Sequence, residues 1–113
     1  MTKLWSLLPA FWALSFLVVA QVGGDGTPQR VISTAPSVTE MLYAVGAEDQ
    51  LVGVTSFCDY PPQAADKTII GDFASPNMEV ILRLRPDLIV LLHDRQELID
   101  KFQAFGLPLL VLR

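Results

Sequence analysis

Two side chains in this sequence could do covalent chemistry together: Cys58 as a nucleophile and His93 as its base, since loops at strand ends bring distant residues to one place. A working site of that kind also needs a third group to orient the base and donors for a developing oxyanion. The sequence identifies neither, so no catalytic residue is assigned. One histidine and one cysteine are also too few for a zinc or copper centre, and no metal site is assigned. The first apolar run is followed by Ala35-Pro36, and neither G-x-G-x-x-G nor G-x-x-x-x-G-K-[ST] occurs, so the backbone cradle for phosphates is missing and no cofactor is expected. The remaining candidates are aromatic. Phe57, Tyr60 and Phe73 stand in segments that read as loops, where turns ordinarily carry polar residues, and rings so placed suit stacking against a flat or bulky ligand. The plainer alternative is that each ring caps the apolar core beneath it.

Positioning those rings requires a layered frame, and the sequence supplies its periods. Short apolar runs alternate with helix-period segments, the pattern of an α/β fold: a three-layer α-β-α lobe with a mostly parallel sheet, Rossmann-like but without the nucleotide motif. Arg30 to Thr34 reads as the first strand. Ser37-x-x-Glu40 has the form of a capping box, Val38, Met41, Leu42 and Val45 mark one helix face, and Gly46 marks the stop. A strand at Leu51 to Val54 runs into a loop held extended by Pro61 and Pro62, and Thr68 to Ile70 is a third, short strand. Ser75 with Pro76, or else Asn77, caps a helix reaching Leu84. Leu88 to Leu92 is apolar throughout, as a central strand covered on both faces should be. Asp94 is expected to cap a last helix with Leu98, Ile99, Phe102 and Phe105 on one face, ended by Gly106 and Pro108 before a strand at Leu109 to Leu112. In open parallel sheets ligands sit beyond the carboxyl ends of the strands, which selects the loops 35–37, 55–60, 71–76 and 93–95. Here Ser37 caps its helix, and His93 is a polar rim residue or a local cap.

The amino terminus is of another kind. Lys3 precedes an almost unbroken apolar run from Leu4 to Ala20, which reads as a signal peptide over residues 1–20 directing export to the periplasm, with cleavage after Ala20. A membrane anchor that stays attached is the alternative, since about 17 to 25 apolar residues can span a bilayer. Residues 21–29 read as a short linker and 30–113 as one lobe. Of the 8 basic residues only Lys3 lies in the signal, which leaves 7 against 12 acidic ones and a net charge of −5. No nucleic-acid partner is therefore expected. The lone Cys58 allows no internal disulfide.

Four segments taken in order carry a family likeness: R-V-I-S-T-A-P-S-V-T-E at Arg30 to Glu40, S-F-C-D-Y-P-P-Q-A at Ser56 to Ala64, G-D-F-A-S-P-N-M-E at Gly71 to Glu79, and L-R-P-D-L-I-V at Leu84 to Val90. Together they resemble the vitamin B12-binding and ferric-siderophore-binding proteins that serve ABC importers, with a lean toward the cobalamin branch. The likeness covers nearly the whole chain after residue 29. It implies two α/β lobes bridged by a long helix, with the ligand between them, and this sequence matches the amino-terminal lobe only. The transported ligand would be cobalamin or a related corrinoid, with a ferric siderophore or haem as the alternative, and the partners would be the permease transmembrane subunits of an ABC importer, served by a monomer.

Position by position, the resemblance places the family's ligand-contacting aromatics on Phe57 and Phe73. Phe57 stands where a tyrosine is usual, which keeps the stacking surface and removes a hydroxyl donor. Pro36 and Ser37 match the turn that lines the cleft floor, Tyr60 its rim, and His93 matches by location alone. Glu79 resembles the acidic residue that docks the lobe onto permease arginines, although a carboxylate in a first helical turn is also favoured by the helix dipole. Two readings from other classes stay open beside this one: a small Cys58-dependent enzyme, and an isolated interaction domain that binds a partner through an unpaired sheet edge.

Overall fold

The computed structural model describes residues 26–113; the signal-peptide reading of residues 1–20 and most of the 21–29 linker fall outside the described residues. Five strands alternate with three α-helices: β1 (Val31–Ser33), α1 (Pro36–Ala44), β2 (Leu51–Val54), β3 (Thr68–Ile69), α2 (Met78–Leu84), β4 (Leu88–Leu92), α3 (Gln96–Ala104) and β5 (Leu109–Leu112). All pairings are parallel, and the order across the sheet is β3-β2-β1-β4-β5. The fold is thus α/β with a fully parallel sheet, where the sequence led us to expect a mostly parallel one. β1 holds the middle position that the apolar run of β4 suggested for itself; β4 lies beside it, between β1 and β5.

The side-chain alternation of β4 builds the layers. Ile89 and Leu91 face a cluster with Ile32, Ile70, Ile81, Leu98 and Phe102, which takes in α2 and α3. Val90 faces the opposite way, into a cluster with Val31, Ala35 and Val38 that takes in α1. Burying side chains such as Ile81, Leu98 and Phe102 is worth about 1.5–3 kcal/mol each, so these contacts fix α2 and α3 on the sheet. Gly53 of β2 lets the layers approach closely: a Cβ there would lie 2.8 Å from Ile70 Cγ2 and 3.0 Å from Leu84 Cδ1.

Local expectations are corrected in four places. The capping box does not form: α1 begins at Pro36, whose ring presets the helical φ, so Ala35 becomes the N-cap and Ser37 lies inside the first turn without a capping bond. The buried side of α1 runs through Val38 and Thr39, and Met41 and Val45 are 46% and 77% exposed, because the hydroxyl of Thr39 is drawn into a buried network that an apolar pattern cannot show. Asp94 does not cap α3; it pairs with Arg113 at 2.5 Å, and Arg95 takes the N-cap position. Phe105 sits at the C-cap of α3, past the end of the apolar stripe, and is 52% exposed. The choice left open at α2 resolves to Asn77, whose side chain accepts the Val80 N–H at 3.2 Å. Gly46 and Gly106 follow α1 and α3 with positive φ, as the expected stops do.

The start of the lobe is tied down by one carboxylate. Asp87 accepts the backbone N–H groups of Gln29 and Arg30, each at 2.7 Å, and the Arg30 Nε donates to the Leu84 carbonyl at 2.7 Å. Gln29, placed by the sequence at the end of a linker, is therefore fastened to the sheet.

Candidate functional site

Because every strand runs the same way, the segments that follow β1, β2, β3 and β4 emerge at one edge of the sheet. Backbone hydrogen bonds then knit them together. The Ser56 N–H donates to the Gly71 carbonyl at 2.9 Å, joining the segment after β2 to the segment after β3. Gly71 in turn forms an antiparallel bridge with Pro76, and Asp72 accepts the Ser75 N–H at 2.6 Å, closing the 71–76 loop on itself. Gly71 adopts φ +106°, a conformation closed to side chains, and a Cβ there would lie 2.7 Å from the Ser75 carbonyl oxygen. After β1, the Thr34 hydroxyl donates to the Val90 carbonyl at 2.9 Å, fixing the turn that leads to Pro36.

The aromatic residues fall into two environments. Phe57 and Tyr60 are each 65% exposed, so neither caps the core in the way the plainer reading of a loop aromatic requires. Phe73 is half-buried: its ring packs on the cluster of Val31, Ala35, Val38 and Val90, which links the 71–76 loop to the segment after β1. The Arg95 guanidinium lies over that ring, 4.4 Å from its centroid, and its Nη1 donates to the Phe73 backbone carbonyl. This joins the segment after β4 to the same edge. Sequence reasoning passed over Arg95 because its partner lies 22 residues away; the available signal was a basic residue inside a strand-end segment already selected. Pro36 and Ser37 are exposed in the first turn of α1, and His93 is exposed on the loop after β4. His93 takes φ +68°, its backbone N–H donates to the Leu112 carbonyl at 2.7 Å, and its carbonyl accepts the Arg95 N–H at 2.9 Å.

Beneath Phe57 the turn is anchored by Cys58, only 4% exposed. Its sulfur lies 3.1 Å from the Thr39 hydroxyl and 3.0 Å from the Thr55 hydroxyl, and the Thr39 hydroxyl also donates to Ser33 Oγ at 2.7 Å. The Ser33 hydroxyl in turn donates a hydrogen bond to the Ala35 carbonyl at 2.9 Å. The thiol is thus bonded to two threonines, while the His93 side chain stands exposed, and the nucleophile-base reading has no hydrogen bond to support it. Among the described residues every buried side-chain polar atom has a partner, as burial without water demands.

Glu79 lies in the first turn of α2, exposed, and forms an i,i+4 pair with Arg83 at 3.0 Å. With both side chains largely exposed, such a pair contributes little, about 0.3–0.5 kcal/mol, and leaves the carboxylate available to a stronger cation.

Comparison with known proteins agrees with the α/β fold. The chain is 40% identical over 87 residues to a vitamin B12-binding protein of Pectobacterium carotovorum, a match covering 75% of this chain and 32% of that protein. A vitamin B12-binding protein of Vibrio cholerae is 47% identical over 62 residues, covering 55% of this chain and 22% of that one. Among solved structures, the periplasmic vitamin B12-binding protein of Vibrio cholerae superposes with a TM-score of 0.70 at 35% identity, over 76% of this chain and 34% of that one. A periplasmic haem-binding protein of Pseudomonas aeruginosa gives the same TM-score at 26% identity, over 76% and 32% of the two chains. This chain spans about a third of the length of the first of these relatives. The profile of the periplasmic binding protein family matches residues 31–111, from the first residue of β1 into β5, and the chain belongs to that family.

Proposed function

We propose that the chain forms one wall of a ligand cleft in the solute-binding component of an ABC importer, and that the ligand is cobalamin or a related corrinoid. The observation that carries the reading is the pair of exposed rings, Phe57 and Tyr60, three residues apart on one turn at the carboxyl edge of a parallel sheet. Large apolar rings are held there at the cost of hydration, which a flat partner relieves on binding. The curated relatives that match at 40% and 47% identity are named for vitamin B12, which supports the choice of ligand. In this reading Phe57 and Phe73 contact the ring system, Tyr60 lines the rim, Pro36 and Ser37 form the floor, and His93 stands at the margin. The role contains no bond making: the protein works in the periplasm as a monomer, lowers free ligand there and presents it to the permease, with Glu79 docking onto permease cations. Haem or a ferric siderophore is the second reading, supported by the haem-binding neighbour of equal TM-score.

Isothermal titration against cyanocobalamin, haem and a ferric hydroxamate tests the proposal. Saturable binding of cyanocobalamin is expected to be weak for this chain alone, since one wall supplies about half of the buried contact, and tight for a two-lobed form. Tight binding by the chain alone contradicts the half-site geometry, and binding of the hydroxamate alone contradicts the flat-ring reading.

A further inference from the structure

The Arg95–Phe73 stack changes what the 71–76 loop offers to a ligand. One face of Phe73 carries the guanidinium, and the ring also packs on the apolar cluster beneath it. Arg95 itself is partly buried and held at both ends: its backbone carbonyl accepts the Ile99 N–H of α3 at 3.0 Å, and its side chain crosses to the Phe73 carbonyl. Among the described residues Arg95 makes that one side-chain hydrogen bond and that one ring contact, and no carboxylate pairs with it. Its sequence neighbour Asp94 is occupied by Arg113 at 2.5 Å, and Asp72 in the facing loop is occupied by the Ser75 N–H.

We infer that Arg95 is a specificity-determining residue of this edge, presenting a planar, unneutralised guanidinium that selects flat ligands bearing an acidic group. A guanidinium stacked on one ring keeps a second face for another flat system, and its remaining N–H groups form the fork that fits a carboxylate or phosphate. The loop thus offers a cation backed by an aromatic ring rather than a bare ring. This rests on the reading of the strand-end edge as a ligand wall, and deepens it by adding a charge requirement to the ring requirement.

Two matched ligand pairs separate the inference from the reading beneath it: haem against its dimethyl ester, and cyanocobalamin against the derivative in which one side-chain amide is hydrolysed to the carboxylate. The full chain should bind the acidic member of at least one pair about tenfold more tightly than the neutral member at low salt, with the preference shrinking as ionic strength rises. Arg95→Gln should bring that ratio close to one. Arg95→Lys should keep part of the ratio while weakening both members, because it retains the charge and loses the plane. The ratio on the unaltered protein decides the matter even where a variant folds poorly. Equal affinity within both pairs overturns the inference and leaves the ring-stacking reading standing. Absence of binding by every probe overturns both.

Discussion

Replacing Gly71 with alanine should destabilise the lobe and loosen the aromatic edge together. At φ +106° the backbone lies outside the left-handed region near +50° to +70° that other residues reach, and holding a side chain there costs about 1–3 kcal/mol. The new Cβ would also stand 2.7 Å from the Ser75 carbonyl oxygen and 3.1 Å from the Asn77 nitrogen, both backbone atoms. Relieving that overlap must stretch the Gly71–Pro76 bridge or the 2.6 Å bond from the Asn77 N–H to the Ile70 carbonyl, which adds about 1–3 kcal/mol. The smaller conformational entropy of an unfolded alanine returns about 0.4–1 kcal/mol. The net loss is about 1–5.6 kcal/mol, and in a domain of this size each kcal/mol moves Tm by about 4–8 °C. Urea and thermal unfolding followed by circular dichroism should therefore show a fall in Tm of at least about 4 °C, with the urea slope unchanged. A variant that unfolds within about 2 °C of the parent would refute the reasoning, because it would mean that the loop can take another path without loss.

Phe57→Ala should leave unfolding nearly unchanged, since the ring is exposed, and weaken cyanocobalamin binding about tenfold by titration calorimetry; equal affinity would remove the ring from the site. The Gln29 N–H, followed by that of Arg30, holds the Asp87 carboxyl below its ordinary value of 3.8. A lowered folded-state pKa gives stability that is present above pH 3.8 and lost as pH falls through the folded value, so Asp87→Asn should lower stability at pH 7 and flatten the acid limb of an unfolding series; parallel acid limbs would contradict this. Glu79→Lys in a two-lobed form should impair uptake with ligand affinity unchanged, whereas lost affinity would place the side chain in the cleft.

The frame was readable from the sequence because its signals are local and redundant. Leu88 to Leu92 announces a doubly covered strand by its composition, and Asn77, Gly106 and Pro108 punctuate neighbouring elements by their own backbone chemistry. The misreadings share one physical origin, competition between two valid local rules or between a local rule and a distant partner. Pro36 and Ser37 both start helices well, and proline, with its φ fixed, moved the cap to Ala35. Asp94 is a good cap in isolation, yet Arg113 is nearby in space and takes its carboxylate. At the site, parallel pairing was enough to bring the four strand-end segments to one edge. The stack of Arg95 on Phe73 and the threonine pair around Cys58 depend on contacts between elements, which no short-range period encodes.

The seclusion of Cys58 has a practical corollary. A reagent that captures sulfhydryls can reach this side chain only when the segment bearing Phe57 lifts away from α1, so the speed of labelling counts how often that segment opens. Since the sequence contains no second cysteine, no competing site blurs the count, and the protein carries its own clock for the movements of the surface on which the ligand is proposed to rest.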